Sequence, residues 1–361
     1  MKERRTGINL ESMRASSEEQ FREILFDFAS RYSPHLNLDF NKDVRPHLDD
    51  KAWWEADYGQ ASRDGKSVGM SAKDALRCLV DIHRTYQLYR GISETIEGLK
   101  ASGKTEITGI DAGTGTGILA IIMLSQGVNK VNAIEINKET LDVTRNFIRG
   151  LGLLDRINLI EGDATRIDTP GLRKTKADIL VSENLSGGLL DEPQYDIINH
   201  LSNYLSPDAE IIPSEAELYA SVAAVNWEGV PAEKNNIAAR RLKECKIVSP
   251  RVKYSNVESG VGMPIPIIES NITLPTDFTG PINALLISTR FRINNLGKFV
   301  YLEPDTADFL GKTAAFKLGG IVYAKGGLVE VSLKYEAGRE RKHLNMLVDG
   351  NKIELIDTML K

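Results

Sequence analysis

Two glutamates, Glu183 and Glu192, stand nine residues apart in "SENLSGGLLDE". On one continuous helix, at about 100° per residue, that spacing would put them on opposite faces. Gly187 and Gly188 interrupt the segment, and the strand-like run "ADILV" precedes it. A chain that bends back here brings two carboxylates to one place, and such a pair asks for a cation between them. A guanidinium suits best, because it stays protonated at physiological pH and its planar donors match bidentate carboxylates. Held by both, it would keep its plane fixed and one nitrogen open to react. A plainer role for Glu192 is also available: Asp191 and Glu192 lie just before Pro193, where acidic residues favour the start of a helix.

The elements that would position this pair begin with "ITGIDAGTGTGILAI". A strand ends at Asp111, a turn holds Gly113, Gly115 and Gly117, and a helix follows at once. Glycines there let the backbone approach a ligand and set helix N–H groups beside it. Glu135 ends the next strand in "VNAIEIN", placed to grip two ribose hydroxyls. After the strand beyond it, "IEGDAT" offers Asp163 and Ala164 to an adenine ring. The dinucleotide fingerprint is G-x-G-x-x-G. Here the spacing is G-x-G-x-G with Ile118 at the last position, so NAD is the disfavoured alternative.

Short apolar runs ("ITGIDA", "VNAIEI", "INLIEG", "ADILVS", "AEIIP") alternate with helical patterns from about residue 72 to 212, as in βαβ units of a parallel sheet. Beyond Pro213, "ELYASVAAV", "ALLISTRFRI", "KFVYLE" and "LVEVSLKYE" alternate with period two and predict antiparallel sheet. Residues 1–71 are polar and rich in helix formers, with Trp53, Trp54 and Tyr58 clustered for packing. The expected organisation is a helical cover (1–71), an α/β Rossmann-like domain (72–212) and a barrel-like β domain (213–361).

Composition narrows the function classes. No window approaches 18 apolar residues, so no membrane span is expected, and the charged N-terminus lacks a secretory apolar run. Cys78 and Cys245, far apart, fit a reducing cytoplasm. A net charge of −5 argues against general affinity for nucleic acid. Five scattered histidines give no metal-ligand spacing. His83 and His200 read as helix-surface or packing residues, and Arg84 on its own would read as a surface helix arginine.

The ordered set of acid, G-x-G-x-G, strand-ending acid and "GDA" resembles class I methyltransferases that use S-adenosylmethionine and release S-adenosylhomocysteine. Within them, "ADILVSENLSGGLLDEPQ" resembles the double-glutamate loop of the protein arginine N-methyltransferase family, in which two glutamates clamp a guanidinium. "DIHRTYQLYRGI" is similar to the family's segment ahead of the glycine turn. The resemblance implies that Arg84 holds the methionine carboxylate of the cofactor and Asp111 its amino end. It also makes Pro213, in "AEIIPSEAELYAS", the junction into the β domain, and implies a homodimer. The match covers residues 78 to 225.

The chain departs from that family in one respect. The Thr-His-Trp loop of the protein-modifying members is missing, and its place is taken by "RFRINNLGKFVYLEPD". A small guanidino substrate such as free arginine is therefore expected ahead of protein arginine, with Arg290 and Arg292 as anchors for its carboxylate. Methylation of a non-guanidino amine, hydroxyl or carboxylate, with Glu192 structural, is the remaining alternative.

Overall fold

A computed structural model of the chain describes residues 10–47, 60–63, 66–79, 81–185, 187–190, 192–229, 236–238, 244–294, 301–302, 313–338, 345–348 and 351–352. Two compact units divide it. One gathers Met1–Glu183, His200–Ile212 and Ile293–Val300; the other gathers Asn184–Asn199, Pro213–Arg292 and Tyr301–Lys361. The stretch 184–199, assigned by sequence to the nucleotide domain, thus belongs to the second unit.

The first unit opens with helix α1 (Glu18–Tyr32), capped by Ser17, whose hydroxyl accepts the Gln20 N–H at 3.2 Å. Glu18 and Glu19 in its first turn and Arg31 in its last oppose the helix dipole. Phe21, Leu25, Phe28 and Tyr32 recur at helical spacing and are fully buried. The region is not helical throughout. Strands β1 (Gln60–Arg63) and β2 (Lys66–Met70) pair antiparallel within it. The Asp-Gly dipeptide at 64–65 is a hairpin signal that outweighs the helix-forming composition around it. The tryptophan cluster at 53–58 lies outside the described residues.

Two helices follow, α2 (Ala72–Leu79) and α3 (Ile82–Ala101). The elements that follow along the chain are β3 (Thr108–Ala112), α4 (Ile118–Gln126), β4 (Lys130–Glu135), α5 (Lys138–Gly150), β5 (Ile157–Glu161), α6 (Pro170–Lys174), β6 (Ala177–Ser182), α7 (Gln194–Leu201), most of which falls in the second unit, and β7 (Leu205–Ile212). The five strands pair in parallel in the order β5-β4-β3-β6-β7. Ile118 to Leu124 of α4 are all buried, which explains why that helix is apolar all round. The chain runs outward from β3 to β5, then crosses back to β6 on the other side of β3. That reversal opens a crevice at the carboxyl ends of β3 and β6, the place where such sheets bind ligands.

The second unit holds β8 (Glu215–Asn226), β9 (Asn236–Ala238), β10 (Glu244–Ile247), β11 (Val252–Glu258), β12 (Ile267–Arg292), β13 (Tyr301–Leu302), β14 (Thr313–Glu336), β15 (Asn345–Val348) and β16 (Asn351–Lys352). All pairings are antiparallel, with the 26-residue β12 joined to β8 on one side and β14 on the other. Among the described residues the pairings trace the open path β10-β8-β12-β14-β15-β16 with β9, β11 and β13 as branches. The unit is therefore an antiparallel sheet, without a ring closure drawn by these strands.

Candidate active site

The glycine turn after β3 is built from left-handed backbone: φ is +80° at Gly113, +52° at Gly115 and +82° at Gly117. Other residues rarely adopt these angles. The N–H groups of Gly113 and Thr114 both donate to the Ile134 carbonyl at 2.9 Å, which ties the turn to β4. A Cβ on Gly115 would lie 3.3 Å from the Ala75 methyl of α2, so α2 lies directly over the turn.

Two carboxylates support this turn from below. Glu135, 5% exposed at the end of β4, accepts the Gly115 N–H at 3.0 Å and the Asn137 N–H at 2.9 Å. Burial raises its pKa, and these N–H groups offset only part of that. Asp111 is fully buried, with Oδ2 accepting the Thr114 hydroxyl at 2.6 Å and Oδ1 without a hydrogen-bond partner among the described residues. Burial pushes the Asp111 carboxyl up to about 7, against the Thr114 bond and the Ala120 N–H and with a push from Glu135.

Arg84 is not a surface helix arginine. Its side chain is 11% exposed and its partner is Glu183: Nη1 lies 3.3 and 3.2 Å from the two Glu183 oxygens. Nη2 donates to the Cys78 carbonyl, and Nε faces Asp81 at 3.7 Å. Burial works against the guanidinium charge, but Glu183 and Asp81 outweigh it and the pKa is raised. Asp81 also caps α3, accepting the Arg84 N–H at 3.2 Å. One aspartate thus starts the helix and orients the arginine of its first turn.

The other sequence-selected residues are distributed as follows. Asp163 caps its own turn, accepting the Thr165 N–H at 3.0 Å and hydroxyl at 2.7 Å, with Arg166 Nε at 3.1 Å. Ala164 beside it is buried. His83 lies 3.4 Å from Glu18, and His200 lies 2.7 Å from the Ile167 carbonyl, both structural roles. Glu192 falls in the second unit, at the turn before α7, and is partly buried. In that unit Arg292 pairs with Glu215 at 2.7 Å and Arg290 with Glu217 at 3.6 Å. They are direct cross-strand neighbours of β12 and β8, so the expected carboxylate anchors are already engaged by glutamates.

The family profile of Ribosomal protein L11 methyltransferase (PrmA) matches residues 91–215. Protein arginine N-methyltransferase 7 of Drosophila melanogaster is 32% identical over 162 residues, 44% of this chain and 23% of that protein. Its Drosophila persimilis counterpart is 31% identical over 185 residues, 46% of this chain and 26% of its own. In fold, the chain is similar to the Trypanosoma brucei PRMT1 enzyme–prozyme heterotetrameric complex with AdoHcy. That similarity has a TM-score of 0.60 at 16% identity and covers 75% of this chain and 90% of that one. Arabidopsis thaliana Protein Arginine Methyltransferase 10 gives a TM-score of 0.57 at 15% identity, over 75% and 92% of the two chains. The chain has the class I methyltransferase fold and resembles the protein arginine N-methyltransferase family. It spans about a quarter of the length of the curated relatives it matches.

For a class I methyltransferase fold, the pairing of Arg84 with Glu183 joins the first turn of α3 to the end of β6 across 99 residues of sequence. Sequence reading selected both residues but gave them separate tasks. It missed Asp81, whose signal was the helix-start pattern "DIHR", and Thr114, which lies within the glycine motif itself.

Proposed function

We propose that this chain transfers a methyl group from S-adenosylmethionine to a guanidino nitrogen, releasing S-adenosylhomocysteine. The observation that carries this reading is the position of Glu183. It sits just past β6, in the crevice where the strand order reverses, and is pinned by the buried guanidinium of Arg84.

The residues present fit this cofactor on two counts. Asp111 Oδ1 is a buried acceptor without a partner among the described residues, and a ligand ammonium is the kind of group that would satisfy it. Asp81, Glu183 and Glu135 outnumber Arg84 even while Asp111 keeps its proton, and a negative balance suits a ligand bearing ammonium and sulfonium charges. In this reading Gly113, Gly115 and Gly117 underlie the amino-acid part, with Asp111 at its ammonium and Arg84 at its carboxylate. Glu135 takes the ribose hydroxyls, and Asp163 with Ala164 the adenine. When bound, the cofactor supplies an electrophilic methyl group on sulfur.

Glu183 and Glu192 would grip two edges of the substrate guanidinium through charge-assisted pairs and leave the third nitrogen directed at the methyl group. Holding nucleophile and methyl in near-attack geometry can contribute roughly 7–11 kcal/mol. No strong base is required, since a methylated nitrogen loses its proton readily and either glutamate could accept it. We place the guanidinium on an arginine of a polypeptide, as the names of the protein arginine N-methyltransferases it resembles suggest, and Arg290 and Arg292 each face a glutamate across the strand.

Methyl-labelled S-adenosylmethionine tests the reaction class. Label should pass to arginine-containing substrates and not to their citrulline or lysine counterparts. Glu192→Gln should lower turnover by orders of magnitude at unchanged affinity for S-adenosylhomocysteine. Glu183→Gln should lower both, because it also unpairs Arg84. Equal labelling of lysine, or near-normal turnover in Glu192→Gln, would return Glu192 to a helix-start role and end the guanidino reading.

A further inference from the structure

We propose that Tyr32 of α1 is a positioning residue for the cofactor turn, acting through Thr144 on the carbonyl of Gly115. The proposal rests on the S-adenosylmethionine reading of that turn. Thr144, on α5, donates its hydroxyl to the Gly115 carbonyl at 2.6 Å, and the Tyr32 hydroxyl lies 3.0 Å from the same Thr144 oxygen. A threonine has one hydroxyl proton. With that proton given to Gly115, the Tyr32 hydroxyl must be the donor to Thr144. The chain therefore runs in one direction, from α1 through α5 into the glycine turn.

The surroundings make this contact specific. Tyr32 and Thr144 are both fully buried. The Tyr32 ring is held edge-on by Phe147 at 5.2 Å and stacked with Phe28 at 6.3 Å, so its hydroxyl has little freedom to leave. Burial raises the phenol pKa, which keeps it a donor at every working pH. The Thr144 methyl lies 3.2 Å from where a Cβ on Gly117 would be, so its side chain spans the turn. A helical threonine has an alternative acceptor in the carbonyl four residues back. The Tyr32 proton favours the rotamer that faces Gly115 instead.

Gly115 is then fixed at both ends of its residue. Its N–H is held by Glu135 and its carbonyl by Thr144, in a left-handed conformation that glycine adopts without strain. A ligand meeting a turn already held in place loses less conformational freedom on binding. The N-terminal helix, expected from sequence to be a cover, becomes a supporting part of the site.

Tyr32→Phe removes only the hydroxyl and keeps the ring. Titration calorimetry with S-adenosylhomocysteine should show binding weakened roughly threefold to tenfold, the size of one lost neutral hydrogen bond. Thr144→Val should weaken binding at least as much. The double variant should bind no worse than Thr144→Val alone, because the two act in series. Thermal unfolding without ligand distinguishes a purely structural role, in which stability falls while affinity holds. Wild-type affinity in Tyr32→Phe, or additive losses in the double variant, would overturn the proposal while the S-adenosylmethionine reading stands. Failure of the wild-type chain to bind S-adenosylhomocysteine would remove that reading and this proposal together.

Discussion

At the residue scale, Asp111 concentrates the physics of the site. Its carboxyl titrates at about 7 in the fold, against 3.8 for an ordinary aspartate, because it is fully buried. Between those values the folded chain keeps a proton that the unfolded chain has lost. Its contribution to stability is thus fully present below about pH 4 and is lost as pH rises through about 7. A ligand ammonium reverses the preference, since it favours the carboxylate. Affinity for S-adenosylhomocysteine should therefore rise between pH 5.5 and 7.5, with uptake of ligand releasing close to one proton at about pH 6. Calorimetry in buffers of different ionisation enthalpy measures that proton. Glu135, also shifted upward by burial, is the neighbouring group that could share the effect. Asp111→Asn separates them: a flat pH profile in that variant assigns the proton to Asp111, and an unchanged one assigns it elsewhere.

At the scale of elements, Asn137 shows how short pieces of secondary structure lock together. Its side-chain oxygen caps α5 by accepting the Thr140 N–H at 3.2 Å, and its amide donates to the Met70 carbonyl of β2 at 3.0 Å. Thr140 donates to the same carbonyl at 2.9 Å. Asn137→Ala should cost about 1–2 kcal/mol, as loss of a good cap does. Asn137→Asp keeps the cap and gives up the bond to Met70, so it should cost less. Urea unfolding of both variants checks the order. If the aspartate variant is as unstable as the alanine one, the hairpin bond rather than the cap carries the energy. The parallel strands and the glycine turn were legible in sequence because apolar runs ending in acids leave a local, periodic trace. The β1–β2 pairing was missed because its strands are short and polar and leave no apolar period-two trace. The pairing of Arg84 with Glu183 and the path from Tyr32 to Gly115 join residues dozens of positions apart, and no local pattern records such partners. Asp163 was legible as an acid after a strand, but not as the cap of its own turn.

At the scale of the whole molecule, the open choice is what carries the guanidinium. Free arginine brings a carboxylate that needs a cationic partner, and the candidates from sequence were Arg290 and Arg292. In the β unit each faces a glutamate across the strand, and those glutamates are themselves well shielded, with side-chain exposures of 10% for Glu217 and 6% for Glu215. Lys253, 3.3 Å from Glu217, and Asn256, bonded to Glu215, complete the polar ladder. Turning either arginine to a ligand would leave a buried carboxylate short of its partner. Arg290 and Arg292 are themselves partly exposed, at 32% and 24%, and the glutamates keep Lys253 and Asn256, so the cost stays below the about 3–5 kcal/mol of a fully buried pair. It still opposes the roughly 1.5–3 kcal/mol that a charged hydrogen bond to a ligand returns. An arginine within a polypeptide has no free carboxylate at that position and meets no such cost. The full chain should therefore methylate an arginine-rich peptide, and free arginine at millimolar concentration should neither be labelled nor compete. If free arginine is labelled instead, and Arg290→Ala or Arg292→Ala raises its KM at constant kcat, then the ladder opens on binding and the small-molecule reading is the correct one.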